Sequence, residues 1–490
     1  MPTHTTDEDS LTSPISFWPR VRDYAVPPSM IETATARRSV GDWAGACAAA
    51  GIDVDLRLGV LARTHGRELA ARVRADLRHL APDLLRWHLP RIAPDGLLRP
   101  GLTIALARYD GAGRDGGDPV HLVVRTPPAW ADGGQRISLA LWDGSRTGTA
   151  ARSHPHPHPS RRFRFDLHRH LWDARRAGDL RIRSGADRPP GQDPPGQDPP
   201  GQDPPGQDPY GPVPGLPATA PGGLPCAVDR WAAEAELLLR AEGRRGGAVE
   251  VRLGGRHRLV LDLVTDPDGT RPPELHTAAA PADEGGPALP VLPDPATWVL
   301  PDLELLRAGL IGPDRLHPLV AAALVPGHVP AGPAPATDPA GAPRFVDCRG
   351  DRHRIALVDG VLTALDHGPD ELRREELLVA LTGTPLPCLR AIDEAHRRPQ
   401  SLSGIRERLV HGDTAGALAV VEGLLGPDAV LRDGALRDEL EAAAGRRVTY
   451  GLFRSGLLGP GQGCSPVTGY VGPRSRPPDR RSRPRHADLR

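Results

Sequence analysis

The chain has 490 residues, with 61 Lys+Arg balanced by 61 Asp+Glu and no formal net charge. It contains no lysine and no asparagine, so every basic residue is arginine. This excludes a Walker A lysine, a Schiff-base lysine, the Lys/Asn machinery of a kinase and any N-glycosylation acceptor, and zero net charge removes a general electrostatic case for nucleic acid or an anionic membrane.

The hydrophobic fraction of 39% is below the usual globular range of ~45–50%. The chain also carries 57 Pro and 56 Gly, which points to folded units separated by spacers. Five scattered cysteines without a C-x-x-C pair argue against a disulfide framework and against a zinc ribbon, and read as reduced structural thiols. The polar Met1–Ser10 start offers no signal-peptide core, and the longest apolar run, Leu319–Val325, is too short to span a bilayer. A cytoplasmic location without membrane contact is expected.

Residues 1–28 are polar and proline-punctuated, and are expected to be disordered. A helical domain over 29–92 follows. It opens on a Ser29-x-x-Glu32 capping box and resumes at Trp43–Ala50 after Gly41-Asp42. Its longest helix, Arg67–Leu80, puts Leu69, Ala70, Val73, Leu77 and Leu80 on one face, and Asp83–Leu89 forms a last short piece. Over 93–184 the period changes to two, with Leu102, Ile104 and Leu106, then Val120, Leu122 and Val124, then Ile137, Leu139 and Leu141, which predicts an antiparallel β-rich domain. Gly111-Ala-Gly113-Arg-Asp-Gly116 matches G-x-G-x-x-G but leads into Pro119 and another strand, so it reads as a loop.

Four tandem Pro-Pro-Gly-Gln-Asp copies from Pro189 to Asp208 make 185–225 a stiff linker. Residues 226–325 read as mixed α+β, with a helix at Asp229–Ala241, a Gly254-Gly255 hairpin and an internal Pro/Gly loop. A Pro/Ala/Gly linker, 326–343, precedes a β-hairpin and helix-pair domain over 344–458. There the strands flank Asp359-Gly360, and helices are expected at Pro369–Leu381, Pro387–Arg397, Gly404–His411, Ala415–Leu425 and Ala435–Ala444. An Arg-rich tail, 459–490, is expected to be disordered. The fold class is α+β.

Gly41-Asp42-Trp43-Ala44-Gly45-Ala46 and Gly412-Asp413-Thr414-Ala415-Gly416-Ala417 each place Gly-Asp between two helices, with Gly ending one and Asp capping the next. Residues 404–433 resemble a single degenerate ankyrin repeat, in the order helix, Gly412-Asp413 turn, helix ending Leu424-Leu425-Gly426, then Asp428 and Arg432-Asp433. The segment departs from that family in lacking a T-P-L-H motif. The resemblance implies protein binding and supplies no catalytic residue. In its Arg/Ala/Pro-rich composition the chain is similar to actinobacterial proteins.

The sharpest metal-like run is Asp166-Leu-His168-Arg-His170-Leu-Trp-Asp173, after His154, His156 and His158. On a strand, His168 and His170 would share a face, and with Asp173 they would suit Zn or Fe(II); the competing reading is a solvated His-Pro loop. Arg256-His257-Arg258 and Arg352-His353-Arg354 each put two guanidinium groups on one strand face, a fork suited to phosphate or carboxylate, unless Asp and Glu already pair them. Cys348 and Cys388 have His353 and His396 nearby, but Cys/His catalysis is a matter of space and not of sequence, so buried structural thiols are the plainer reading. The tail Arg474–Arg485 is basic but has only Tyr470 to stack a base, which argues against nucleic acid.

No serine elbow or H-E-x-x-H occurs. The reading is a non-enzymatic protein-interaction or scaffold protein with an unidentified protein partner and no cofactor. The first alternative is a phosphate or nucleic-acid binder using Arg256, Arg258, Arg352 and Arg354; the second is a metal-dependent hydrolase around His168, His170 and Asp173.

Overall fold

The computed structural model describes residues 15–111, 119–144, 154, 156–187, 216–220, 223–254, 257–265, 272–278, 288–329, 344–383 and 385–459. The Pro-Pro-Gly-Gln-Asp repeats, Arg256, the loop 112–118 and residues 460–490 lie outside them. The fold is α+β, with several small sheets.

Structure begins earlier than the sequence suggests. Helix α1, Trp18–Tyr24, lies inside the segment expected to be disordered, with Pro19 in its first turn and Val21 and Arg22 buried. Proline is tolerated there because the first-turn N–H groups have no intrahelical acceptor. The same rule displaces the Ser29-x-x-Glu32 box. Helix α2, Pro28–Ser39, starts two residues before the Met30 start that a Ser29 cap implies, behind an extended Pro27 and without a side-chain cap. Helices α3 (Trp43–Ala49), α4 (Leu58–Thr64), α5 (Arg67–His79) and α6 (Pro82–His88) follow, and α5 buries Leu69, Ala70, Val73 and Leu77.

The meander forms as read: β2 (Thr103–Tyr109), β3 (Val120–Arg125) and β4 (Ile137–Trp142) are antiparallel neighbours. A short β1, Ile52–Val54, adds in parallel to β4, with Ile52 opposite Ile137, giving the order β1-β4-β3-β2. Strands β2, β3 and β4 are buried along most of their length, as strands covered on both faces are. The helical and β-rich segments therefore share one hydrophobic core, which joins Leu69, Val73, Leu77, Leu84 and Leu85 to Ile104, Leu122, Val124, Ile137 and Leu139. The boundary expected at 92/93 is not a break in packing.

That core is completed from far along the chain. Helices α8 (Pro301–Arg307) and α9 (Pro318–Leu324) return to it with Leu305, Val320 and Leu324. Buried Asp302 receives Arg22 Nε at 2.7 Å and Nη2 at 2.9 Å, and Trp87 Nε1 at 3.1 Å. His317 Nε2 lies 3.0 Å from buried Asp83. A middle unit has its own core: α7 (Val228–Ala241) packs on the antiparallel sheet β5 (Gly247–Arg252), β6 (Arg258–Val264) and β7 (Glu274–Thr277), around Trp231, Leu238, Val249 and Leu261.

The C-terminal unit has a third core. It combines the sheet β8 (Arg344–Cys348), β9 (Asp351–Val358) and β10 (Val361–Ala364) with helices α10 (Pro369–Thr382), α11 (Pro387–Arg397), α12 (Leu402–His411), α13 (Thr414–Leu425) and α14 (Ala435–Arg454). Both Gly-Asp turns cap as expected, Asp42 accepting from Gly45 N at 2.8 Å and Asp413 from Gly416 N at 2.9 Å. Helix α14 runs Ala435–Arg454, well beyond Ala444. Its extra turns reach the first unit: Tyr450 donates to Asp53 at 2.6 Å, Arg454 pairs with Asp55, and Phe453 meets the edge of Trp130. Among the described residues no helix is long and apolar enough to cross a membrane.

Arg86, on α6, is 1% exposed and donates to the carbonyls of Ala25 (3.0 Å), Gln135 (2.6 Å) and His411 (2.9 Å). The last bond crosses to the C-terminal unit. Beside it, Gly412 has φ +91°, and a Cβ there would sit 2.1 Å from the Gly134 carbonyl oxygen. Only glycine admits so close a backbone approach at that φ. Replacing Arg86 with Met is expected to strand the three carbonyls at ~1 kcal/mol or more each, on the order of 3 kcal/mol in all. The variant should melt earlier and release the C-terminal unit to protease sooner, and an unchanged melting midpoint with unchanged proteolysis would refute this role.

Candidate metal centre

Among the described residues, a group of four Cys and His side chains that could hold a metal ion lies in the C-terminal unit. Strand β8 ends at Cys348 and turns through Arg349 and Gly350, at φ 55° and 94°, so that Cys348 pairs with Asp351 at the start of β9. Two consecutive positive-φ residues make the tight turn that suits strand twist. Alternation along β9 then sends His353 and buried Ile355 to the inner face with Cys348, and Arg352 and Arg354 outward. The Arg-His-Arg pattern thus separates a histidine directed inward from two arginines directed to solvent.

Two further residues complete the group. His367 sits between β10 and α10, with its side chain only 2% exposed, and Cys388, fully buried, is in the first turn of α11. Cys348, His353, His367 and Cys388 each offer one donor atom, and these atoms lie within 4.8 Å of one another. A zinc tetrahedron with ordinary Zn–S and Zn–N bonds has edges of about 3.4–3.8 Å. The 4.8 Å bound on the donor separations exceeds those edges by about 1 Å.

The environment fits a cation held by neutral imidazoles and thiolates. His353 Nδ1 and His367 Nε2 are buried with no hydrogen-bond partner, which is costly for a polar atom unless something binds it. The other nitrogen of His367, Nδ1, lies 3.3 Å from Glu371 Oε2 on α10. A carboxylate behind a ligand imidazole sets its tautomer and frees the opposite nitrogen for metal. The contact with His367 also holds the Glu371 carboxyl below its usual range. Arg349 in the β8–β9 turn reaches Glu371 at 2.8 Å and also pairs with Glu375, fixing the turn to α10. Burial, reinforced by the neighbouring Cys348, pushes the Cys388 thiol up, so in the absence of a metal it stays protonated.

With two cysteines and two histidines, all four tetrahedral positions are filled by protein. Such closed sets belong to structural zinc sites, whereas catalytic zinc keeps a position for water or substrate. The scattered spacing of the cysteines argues against a zinc ribbon, and Cys348 and Cys388 are indeed far apart in the chain, but the fold brings them together with two histidines. The C-x-x-C rule searches for thiols close in sequence, and these two are joined only when β8 packs against α11. The legible part of the signal was Cys348-x4-His353 around an Arg-Gly turn; His367 and Cys388 carry no fixed spacing to it.

The residues favoured from sequence lie elsewhere. His168 and His170 are not on a strand. They flank and enter a 3₁₀ turn, Arg169–Leu171, with rings 5.7 Å apart at 66°, so the shared-face argument does not apply. His168 Nδ1 lies 2.9 Å from the Arg164 carbonyl, and its Nε2 lies 3.2 Å from Glu234 Oε2. Asp173 caps the following turn and is bound by Arg169 and Arg175, each at 3.1 Å. Of the arginines, Arg354 is paired with Asp366 at 2.7 Å, Arg352 stands over the Phe345 ring at 4.9 Å, and Arg258 lies 3.6 Å from Glu250. Arg256 is outside the described residues.

No family model matches the chain, and no curated protein or solved structure does.

Glu234, 5% exposed, links the first and middle units, because Arg183 Nη2 donates to it at 2.6 Å. Burial alone would raise its pKa, but His168 and Arg183 outweigh burial and hold it at about 2, against an ordinary value of 4.5. The folded-state pKa is depressed, so this stabilisation is fully present above pH 4.5 and is lost as pH falls toward 2. A shift of this size corresponds to about 3 kcal/mol. Glu234→Gln is expected to lower the melting midpoint strongly at pH 7 and much less near pH 3; an equal loss at both would show that the carboxylate charge is not what stabilises.

Proposed function

We propose that this chain is a non-enzymatic binding protein whose C-terminal unit is organised by one structural zinc ion, held by Cys348, His353, His367 and Cys388. The observation that carries the reading is the closed set of four protein donors, two of them buried ring nitrogens without partners. The metal would tie the β8–β9 turn, the loop before α10 and the start of α11 into one body. Zinc supplies folding free energy in such sites, because the unfolded chain has no preformed set of ligands.

An interaction role draws support from the neighbouring helix. Leu377, Leu378 and Leu381 of α10 are 67%, 46% and 84% exposed, and no described residue of α10 is buried. Helix α10 begins just after His367, so the metal would fix the base of a leucine-bearing helix. The two alternatives have less support. The described arginines of the Arg-His-Arg strands are already engaged by Asp366, Phe345 and Glu250. His168 and Asp173 are committed to Glu234 and to Arg169 and Arg175.

The test is metal analysis of the full-length protein after zinc loading and exhaustive dialysis. About one zinc per chain is expected, with near-complete loss in Cys388→Ser and in His367→Ala, and retention in His396→Ala. Loading the metal-free protein at pH 7 should release about two protons, since both thiols must ionise to bind. A zinc content near zero in the unmodified protein would overturn the reading. The zinc-loaded protein is expected to hydrolyse p-nitrophenyl acetate and p-nitrophenyl phosphate no faster than the metal-free protein; zinc-dependent turnover abolished by His170→Ala would favour the hydrolase instead.

A further inference from the structure

A second site lies away from the metal centre, at the seam between the first and middle cores. A cavity of about 760 Å3 opens there, with Trp18, Trp87 and Phe165 from the first unit and Trp298 and Leu300 from the crossover that leaves the middle unit. The volume is within the ~300–1,000 Å3 typical of small-molecule sites, and junctions between units are where such sites concentrate.

The polar groups in its wall are unevenly paired. Arg22, Arg162 and Arg183 are neutralised, by Asp302, Asp294 and Glu234. Asp294 takes both oxygens to Arg162, at 2.9 and 2.7 Å, and Glu304 lies 3.2 Å from Arg307, so the acidic residues of the wall are spent. Two guanidinium groups remain. Arg91 is 8% exposed; it donates to the carbonyls of Gly96 (2.9 Å) and Arg86 (3.2 Å), and its Nε is buried without a partner. Arg99 is exposed. Among the described residues no carboxylate makes an ion pair with either, although Asp294, bound by Arg162, also feels the charge of Arg99.

The surplus continues beneath the wall. Arg86, also without a carboxylate in contact among the described residues, lies behind Arg91; burial, followed by the charges of Arg86 and Arg22, draws the Arg91 guanidinium well below its ordinary range, so an anion beside it would favour its charged form. His88 lines the same cavity, and its Nε2 is buried with no partner. Burial, followed by Arg22 and His317, keeps its ring neutral, so it offers a hydrogen bond without adding charge. An apolar cavity with excess positive charge and an unused imidazole is complementary to a molecule with an anionic head and an apolar body.

We infer that this cavity is a binding site for an amphipathic organic anion, with a carboxylate or sulfonate head held by Arg91 and Arg99 and an apolar body packed against Trp18, Phe165 and Trp298. Arginine suits the head because its planar fork binds a carboxylate through two parallel hydrogen bonds. Aromatic walls suit the body because they bury a large area with little loss of side-chain freedom. A neutral apolar molecule would leave Arg91 without a counter-charge and Arg99 with only the shared Asp294, and an organic cation would be repelled.

The test is titration of the full-length protein with cis-parinarate, a fluorescent long-chain carboxylate, beside its methyl ester and dodecylamine. Saturable binding of one parinarate per chain is expected, with the ester and the amine at least about tenfold weaker, a difference of ~1.4 kcal/mol. Arg99→Glu, at an exposed position, should weaken parinarate by about tenfold or more without altering the melting midpoint, and Arg99→Lys should retain part of the affinity. No saturable binding, equal binding of acid and ester, or an unchanged affinity in Arg99→Glu would each overturn the inference. Cys388→Ser is expected to bind parinarate normally, so failure at the metal centre and failure here are separately visible.

Discussion

One buried cation holds the first and C-terminal units of this protein in register. Arg86 lies in the first core with no carboxylate in contact among the described residues, and its protons go to carbonyl oxygens from the loop after α1, the loop before β4 and the end of α12. Burial draws its pKa down only to about 10, so it stays charged at neutral pH. A desolvated charge is tolerated only when its donors are satisfied. Each segment that supplies a carbonyl is therefore held in place, including one from the C-terminal unit more than 300 residues away.

The same rule recurs at the other joints. Arg22 with Asp302 brings the 300–325 segment back to the first core, Arg183 with Glu234 ties in the middle unit, and Arg454 with Asp55 anchors the end of α14. Arginine suits these joints because its planar donors can engage several oxygens at once, whereas lysine presents a compact point charge. In a chain with no lysine, arginine has to serve both surface solubility and internal bracing. The two cavity cations without an ion pair among the described residues, Arg91 and Arg99, stand out against that background of pairing.

The candidate metal centre depends on the packing of the C-terminal unit. Cys348 and His353 meet through a hairpin turn, a local event, but His367 and Cys388 arrive only when α10 and α11 close over the sheet. The carboxylate behind His367 comes from the first turn of α10, where acidic residues are favoured by the helix dipole. The arginines that drew attention in sequence, Arg352 and Arg354, occupy the outward face of the strand that turns His353 inward. Strand alternation made the pattern conspicuous and also placed its chemistry on the opposite face.

Local rules alone determined much of this chain. The period-two strands, the amphipathic α5, the Gly-Asp caps and the hairpins at Asp359-Gly360 and around Gly254 follow from short-range sterics and from one buried face, and they stand where the residues put them. The α+β class and the exclusion of lysine chemistry were equally legible. Tertiary structure decided which segments share a core, that 300–325 returns to the first unit, that α14 runs on to Arg454, and that two cysteines and two histidines converge. Each of these depends on satisfying buried charges and polar atoms between residues far apart in the chain, and sequence spacing carries no record of such distances.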